Sequence, residues 1–153
     1  MIPLHDEIIA SIDNRLDYEI IFIDDGSTDQ SNLRVQEIIS QTNKVILISL
    51  KKNTGKSNAL NLGFKQSKGD IVVTMDADLQ DDPKEINNLI AKLHEGWDMV
   101  SGWKKMRKDP ISKTFPSRIF NRVVGWISGL KIHDFNCGFK AYKAKVIKSL
   151  HIY

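Results

Sequence analysis

The chain has 153 residues, of which 41% are apolar and 27% are charged, and its net charge is +3. This length suits one domain with a real hydrophobic core and is too short for two ordinary domains. The charge is too small to indicate nucleic-acid binding by itself, so we expect no nucleic-acid partner. The one cysteine, Cys137, excludes an internal disulfide and fits a reducing, cytoplasmic location.

Helices and strands are predicted to alternate along the chain. Helical spacing of apolar residues predicts helices over about 4–15, 29–41, 56–67, 83–94 and 114–128, with another from about 143. Short apolar runs predict strands over about 18–23, 45–50, 70–75 and 97–102, with a strand-like stretch near 131–142. This alternation favours an α/β fold with helices on both faces of a mostly parallel sheet. Such a fold normally opens on a strand and this chain opens on a helix, so we expect a sheet without its usual first strand, or a fragment.

Two of the predicted helices carry more detailed expectations. In the second helix, Leu33, Ile38 and Ile39 are predicted to face the core. Asp82, followed directly by Pro83, is predicted to cap the start of the fourth helix.

The first acidic cluster (DDGSTD) follows the first predicted strand. In an open α/β sheet, ligands bind beyond the carboxyl ends of the strands. Two interpretations stay open. The cluster is either a turn with a helix cap, or a site where Asp24 or Asp25 accepts hydrogen bonds from a base or a ribose.

The second acidic cluster (MDADLQDD) follows the third predicted strand. Helix capping accounts for Asp82, and Asp81 is predicted to face solvent. Capping does not account for Asp76 and Asp78, which can converge because alternate residues at a strand end point the same way. With Gln80 as a neutral oxygen donor, these two acids fit Mg²⁺ or Mn²⁺, which commonly use one or two carboxylates together with phosphate oxygens.

Spacing excludes three other motifs. An EF-hand loop that begins at Asp76 needs Gly at its sixth and Glu at its twelfth position, where the chain has Asp81 and Asn87. A phosphate-binding P-loop that ends in GKS at 55–57 needs Gly at the position of Leu50. A zinc site needs clustered His and Cys side chains, and the four histidines are scattered.

Two basic features remain open to more than one interpretation. Lys56 belongs either to an ordinary capped helix or to a site where it faces the phosphates of a ligand together with the helix N-terminus. Residues 104–122 interleave basic and apolar side chains, which favours a core or docking face over contact with a lipid surface. Because this segment follows the fourth strand, its cations are also placed to meet a diphosphate.

Four segments follow one another in the chain: DDGSTD at 24–29, NTGKSNALNLG at 53–63, DADLQDDP at 76–83 and DFNCGFK at 134–140. In this order they resemble the motifs of family 2 glycosyltransferases, most closely the polyprenyl-phosphate (dolichyl-phosphate mannose synthase-like) branch. The resemblance covers nearly the whole chain. It implies a GT-A fold, a single catalytic domain over 1–153, and inverting transfer of a sugar from a nucleotide-diphosphate sugar to a polyprenyl phosphate.

The resemblance also implies roles on the donor side. Asp24 and Asp25 would lie near the nucleoside. Asp76 and Asp78 would hold Mg²⁺ or Mn²⁺ against the diphosphate, with Gln80 assisting, and Asp78 is the acid of this group that we expect to be catalytic.

On the acceptor side, the resemblance places Ser117 and Arg118 in a segment that closes over the phosphates of donor and acceptor. Asp134 belongs to the acceptor-side motif. A phosphate acceptor is already an anion and needs little help from a general base, whereas a hydroxyl acceptor would need one, for which Asp134 is the candidate.

The chain departs from the family pattern at both ends. It has no initial strand with a Pro-x-x-Asn-Glu-like loop around the nucleotide, and no C-terminal membrane helices. We therefore expect a domain truncated at both ends, which in the full-length protein lies at the cytoplasmic face of a membrane.

Two alternatives to an active transferase stay open. One is a non-catalytic remnant that binds nucleotide sugars. The other is a phosphohydrolase with Asp76 as nucleophile and Asp78 as acid/base. It is disfavoured because that chemistry places its Asp-x-Asp after the first strand with a Thr or Val following, and here Leu79-Gln80 follows.

Overall fold

The structure, a computed structural model, describes residues 1–103 and 137–150. In chain order its elements are α1 (Ile2–Ser11), β1 (Ile20–Asp24), α2 (Ser31–Ile39), β2 (Val45–Ser49), α3 (Lys56–Gln66), β3 (Ile71–Thr74), a 3₁₀ turn (Pro83–Glu85), α4 (Ile86–His94), β4 (Met99–Ser101), β5 (Lys140–Lys143) and α5 (Ala144–Ile147). The predicted helix over 114–128 and the basic segment 104–122 lie outside the described residues. Among the helices of the described part, none is long and apolar enough to cross a bilayer.

The described strands form two sheets. β1 and β2 pair in parallel, as the alternation of helix and strand predicts. In the second sheet β5 lies between β3 and β4 and runs antiparallel to both. The α/β class is confirmed. The insertion of β5 is a finding that alternation cannot show, because strand order depends on contacts between distant parts of the chain.

Helices cover both faces of β1. On one face, Phe22 belongs to a buried cluster with Val35 and Ile38 of α2. On the other face, Gly63 of α3 lies directly against Ile23. Because neighbouring residues of a strand point to opposite faces, α2 and α3 lie on opposite sides of this sheet.

Helix α3 also reaches the second sheet. One face of that sheet packs against α4 in a core cluster whose buried members are Ile86, Leu89, Leu93, Cys137, Phe139 and Ala141. On the opposite face, the ring of Phe64 from α3 meets Tyr142 of β5 edge-on, with the ring centroids 5.7 Å apart. Thus α3 contacts both sheets.

The predicted core face of α2 is partly wrong. Ile38 is buried as expected, but Leu33 is 59% exposed and Ile39 is at the edge of exposure, while Val35 is buried. The helix begins at Ser31 and turns the Val35–Ile38 side toward the sheet. Leu33 is two residues before Val35, which places it roughly 200° around the helix, on the solvent side.

The predicted start of the fourth helix is confirmed. The carboxylate of Asp82 accepts a hydrogen bond from the backbone N–H of Lys84 (3.0 Å), and Pro83 opens the 3₁₀ turn that leads into α4. This carboxylate satisfies one of the N–H groups that a helix start leaves without a partner.

Candidate active site

The acidic segment after β3 folds back on itself. The backbone N–H of Asp76 donates to the carboxylate of Asp81 (3.3 Å), and the N–H of Gln80 donates to the carboxylate of Asp78 (3.0 Å). Between them Leu79 has a φ of 61°, a left-handed conformation that is uncommon for a bulky residue. The prediction that Asp81 faces solvent is wrong: it is 6% exposed because its carboxylate serves the loop's own backbone. Asp78 remains exposed.

Asp76 forms an ion pair with a lysine from another element. The Nζ of Lys56, the first residue of α3, lies 2.6 Å from Oδ1 of Asp76. The Asp76 side chain is 34% exposed and that of Lys56 is 61% exposed, so a ligand can reach both from solvent. An exposed ion pair contributes little to stability, and what this one provides is the placement of two side chains. The structure thus brings a predicted phosphate-binding lysine and a predicted metal-binding acid to the same point.

Asp25 links the first acidic cluster to the loop before α3. One of its carboxylate oxygens accepts from the backbone N–H (2.7 Å) and the hydroxyl (2.9 Å) of Thr54, and the other from the N–H of Gly55 (2.8 Å). The N–H of Thr54 lowers the pKa of Asp25 below its usual value, against a smaller opposing effect of burial. Gly26 allows the close approach, because it has a φ of 81° and a Cβ there would lie 2.6 Å from the carbonyl carbon of Lys52.

Asp24 ends β1 and points into the protein. It is 9% exposed and accepts hydrogen bonds from the N–H of Ser27 (3.0 Å), the amide of Asn32 (2.8 Å) and the hydroxyl of Ser49 (3.2 Å). Burial raises the pKa of this carboxyl, but the bonds from Ser27, Asn32 and Ser49 together outweigh burial and the pKa is lowered. Asp24 therefore joins β1, β2 and α2 beneath the site. Its predicted contact with a nucleoside stays a prediction.

The segment with Asp78 and Gln80 also borders an open cleft. The cleft has a volume of about 450 Å³ and lies between α1 and the turn before α4. Its lining mixes polar and apolar side chains, with Glu7 and Ala10 on α1 and Leu79, Gln80 and Lys84 opposite. Gln80 is therefore accessible as a ligand or hydrogen-bond donor.

Three of the predicted site residues, Ser117, Arg118 and Asp134, lie outside the described residues. Among the described ones, the sequence prediction missed Gly138, which lies directly against the carboxylate of Asp76. Gly138 belongs to the DFNCGFK segment, where only Asp134 was assigned a role. The presence of a glycine in that segment was the available signal.

The donor set at the end of β3 fits a hard divalent cation. Asp76, Asp78 and Gln80 offer oxygens, which Mg²⁺ and Mn²⁺ prefer. Within residues 1–103 and 137–150, no three acidic, His or Cys side chains form a metal-binding group by themselves. Mg²⁺ is commonly held by one or two carboxylates together with phosphate oxygens from a substrate.

Nearly the whole chain matches a known family: residues 4–150 fit the family model described as glycosyl transferase family 2. The chain belongs to this family. Among its relatives, an undecaprenyl-phosphate 4-deoxy-4-formamido-L-arabinose transferase of Shewanella sediminis is 37% identical over 134 residues. A dodecaprenyl-phosphate galacturonate synthase of Rhizobium johnstonii is 34% identical over 138 residues. The predicted resemblance to the polyprenyl-phosphate branch of family 2 is confirmed.

Solved structures agree with the family assignment. Glucosyl-3-phosphoglycerate synthase of Mycobacterium tuberculosis, in complex with phosphoglyceric acid, superposes with a TM-score of 0.74 at 25% identity over 96% of this chain. The same protein in complex with Mn²⁺ and UDP-glucose gives a TM-score of 0.71 at 25% identity, also over 96% of this chain. The predicted GT-A fold is confirmed.

This family 2 chain is shorter than the proteins it matches. The alignments cover 87% and 88% of this chain but 40% and 41% of the two transferases. They cover 53% and 52% of the two solved synthase chains.

Proposed function

We propose that this chain is the donor-binding part of a glycosyltransferase that moves a sugar from a nucleotide-diphosphate sugar to a polyprenyl phosphate, with inversion. A divalent cation, Mg²⁺ or Mn²⁺, is proposed to bind at Asp76 and Asp78. The two relatives support the acceptor class, since both are named for a polyprenyl phosphate. The solved synthase supports the donor class, since it is described in complex with Mn²⁺ and UDP-glucose.

The observation that carries the proposal is the contact of 2.6 Å between Lys56 and Asp76. A diphosphate needs cations on more than one side, and this contact places a lysine beside the acid of the candidate metal site. The lysine is also the first residue of α3, where the helix N-terminus adds a partial positive charge. Anion-binding and cation-binding groups therefore meet at one edge of the structure.

In the proposed site Asp76 and Asp78 hold the cation, and Gln80 contributes a neutral oxygen or a hydrogen bond. Lys56 faces the diphosphate, and Asp24 and Asp25 support the nucleoside side of the pocket. When bound, the cation supplies Lewis-acid stabilisation of the negative charge on the leaving diphosphate, an effect typically of several kcal/mol.

The reaction that fits these groups is a single displacement. An oxygen of the acceptor phosphate forms a bond to the anomeric carbon, on the face opposite the bond to the diphosphate. The latter bond breaks with its electron pair on the nucleoside diphosphate, which inverts the anomeric configuration. We propose that Ser117 and Arg118 bind phosphate oxygens during this step, and that Asp134 lies on the acceptor side. A lipid acceptor would place this surface near a membrane, at its cytoplasmic face.

A non-catalytic protein that binds nucleotide sugars is the second candidate. It would use the same residues for binding and would differ from a transferase in turnover. The phosphohydrolase alternative gains no support from membership of family 2.

The proposal is tested by titrating the protein with UDP and UDP-glucose, with and without Mn²⁺, by calorimetry. We expect binding that depends on Mn²⁺ and that Asp78→Asn weakens by about tenfold or more, because the amide lacks the negative charge of the proposed carboxylate ligand. Asp82→Asn is the matched control. It makes the same charge change in the same segment, and Asn caps a helix start as well as Asp does.

Nucleotide binding that is indifferent to Mn²⁺, or an equal loss in the two variants, contradicts the metal assignment. Turnover with a polyprenyl phosphate then separates the transferase from the non-catalytic binder.

A further inference from the structure

Gly138 and Asp76 are 62 positions apart in the sequence (138 minus 76) and in contact in the fold. A Cβ atom built on Gly138 would lie 2.5 Å from Oδ2 of Asp76 and 2.8 Å from both its Oδ1 and its Cγ. These distances are much shorter than a normal van der Waals contact, so a side chain at position 138 would collide with the carboxylate. The φ of Gly138 lies outside the left-handed region, so this position needs a glycine for space and not for its backbone conformation.

The position of Gly138 is fixed from β3, the strand that precedes Asp76. The hydroxyl of Thr74, the last residue of β3, donates to the carbonyl oxygen of Gly138 (2.7 Å). Thr74 also pairs with Lys140 in the antiparallel β3–β5 ladder. The insertion of β5 next to β3 therefore brings the segment before β5 against the end of β3.

The close approach restricts where the Asp76 carboxylate can lie. The Gly138 backbone is on one side of it, and Lys56 holds Oδ1 at 2.6 Å. A methyl group at position 138 meets the end of a short side chain with two rotatable bonds, so the carboxylate can turn aside more easily than the backbone can shift. A larger residue at 138 would therefore move this acid away from Lys56 without unfolding the protein.

We propose that Gly138 is a positioning residue, which holds the Asp76 carboxylate in the orientation that serves the diphosphate and its divalent cation. This inference rests on the proposed function for the use of Asp76, and on the contact itself for the role of Gly138. It assigns to the DFNCGFK segment a function on the donor side of the site. Substitution of a residue that orients a metal ligand typically lowers the metal affinity 10- to 100-fold.

The first test measures Mn²⁺ affinity in the presence of UDP, by calorimetry, for Gly138→Ala. We expect a decrease of about tenfold or more with thermal stability largely kept. Gly69→Ala is the control, because it adds the same methyl group at an exposed glycine before β3, at the end of that strand opposite to Asp76, where the nearest neighbour of a Cβ is the carbonyl oxygen of Ile71 at 3.3 Å. Thr74→Val adds no atom at position 138 and removes the anchor of Gly138, so it should weaken Mn²⁺ binding in the same direction.

The second test needs no ligand: a crystal structure of Gly138→Ala. We expect the Asp76 carboxylate to have turned away from Lys56, so that the ion pair, 2.6 Å long in the unmodified protein, is broken. An intact ion pair, or Mn²⁺ affinity equal to that of Gly69→Ala, overturns the positioning role. Failure of the unmodified protein to bind Mn²⁺ with UDP would instead count against the proposed function, and the crystal structure would still decide whether Gly138 orients Asp76.

Discussion

Asp24, which the sequence suggests as a residue that contacts a ligand, connects elements of the fold in the structure. Its carboxylate is buried and accepts hydrogen bonds from the turn, from α2 and from β2. These bonds favour the charged form more strongly than burial disfavours it, so the pKa is below its ordinary value in the folded protein. A group of this kind contributes stability that is present above its unfolded pKa, near 3.9, and lost as the pH falls through the folded pKa.

We therefore expect Asp24→Asn to lower the free energy of unfolding at pH 7 by about 1–3 kcal/mol, because an amide cannot accept all three bonds. The difference between the variant and the unmodified protein should shrink as the pH falls below about 4, because this carboxyl is protonated first in the unfolded chain and, at lower pH, in the folded protein. Urea unfolding at several pH values measures both effects. Asp29→Asn is the control, since Asp29 is exposed and accepts one N–H, from Ser31, which an Asn can also accept. A difference that stays constant down to about pH 3 would contradict the assigned pKa direction.

At the scale of elements, the start of α3 carries the anion-binding half of the proposed site. Asp25 fixes the backbone of Thr54 and Gly55, and the helix begins at the next residue, Lys56. The carboxylate of Asp25 thus controls where the lysine and the helix N-terminus point. In the proposed site, the first acidic cluster would therefore influence a ligand through α3.

We expect Lys56→Met to weaken Mn²⁺-dependent UDP binding by roughly tenfold, the size of one charge-assisted contact to phosphate. The effect should be smaller at high salt, because added ions screen the lysine in the unmodified protein. Calorimetric titrations at two salt concentrations measure it. Lys52→Met is the matched control. Lys52 lies four positions earlier, is exposed, and makes no ion pair within the part of the chain that the structure describes. Equal effects in both variants would indicate a general charge effect and contradict a specific role of Lys56.

Much of this element pattern could be predicted because it depends on local signals. The alternation of helix and strand, the Asp82 cap and the polar loops at strand ends follow from neighbours in the sequence. The placement of β5 between β3 and β4 does not, since residues about 40 to 70 positions apart make those ladders. The prediction of which face of α2 is buried was partly wrong for a related reason. Leu33 and Val35 are both apolar, and packing against the sheet determines which of them is buried.

The features of the candidate site also divide into those that the sequence predicts and those that depend on the fold. The acids at the end of β3 could be predicted from their spacing, and the lysine at the start of α3 from its position in the sequence. Their contact depends on how the two elements pack, and so does the approach of Gly138 to Asp76. Asp81 looked exposed because the sequence does not show that the loop turns back to use its carboxylate. The residue types of the candidate site could therefore be predicted from the sequence, whereas the contacts between these residues could be seen only in the folded structure.

At the scale of the whole molecule, α3 is one of the described elements that contact both sheets. It lies against β1 through Gly63 and against β5 through Phe64, whose ring meets Tyr142 edge-on. Its first residue reaches the acid at the end of β3. Packing of this helix therefore contributes to the placement of the carboxyl ends of β1 and β3, where the proposed nucleotide and metal sites lie.

The last prediction follows from this bridging role. Phe64 is 4% exposed, and Phe64→Ala should lower the free energy of unfolding by about 3–5 kcal/mol, the usual range for truncation of a buried ring. Leu33→Ala, at a 59% exposed position on α2, should change it by no more than about 0.5 kcal/mol. Urea unfolding measures both, and equal costs would show that the contact between α3 and β5 does not stabilise the fold.

Because α3 also positions Lys56, Phe64→Leu, which keeps most of the volume, should weaken UDP binding less than Phe64→Ala does. The order of these two affinities then tests whether one helix couples the stability of the two sheets to the geometry of the site.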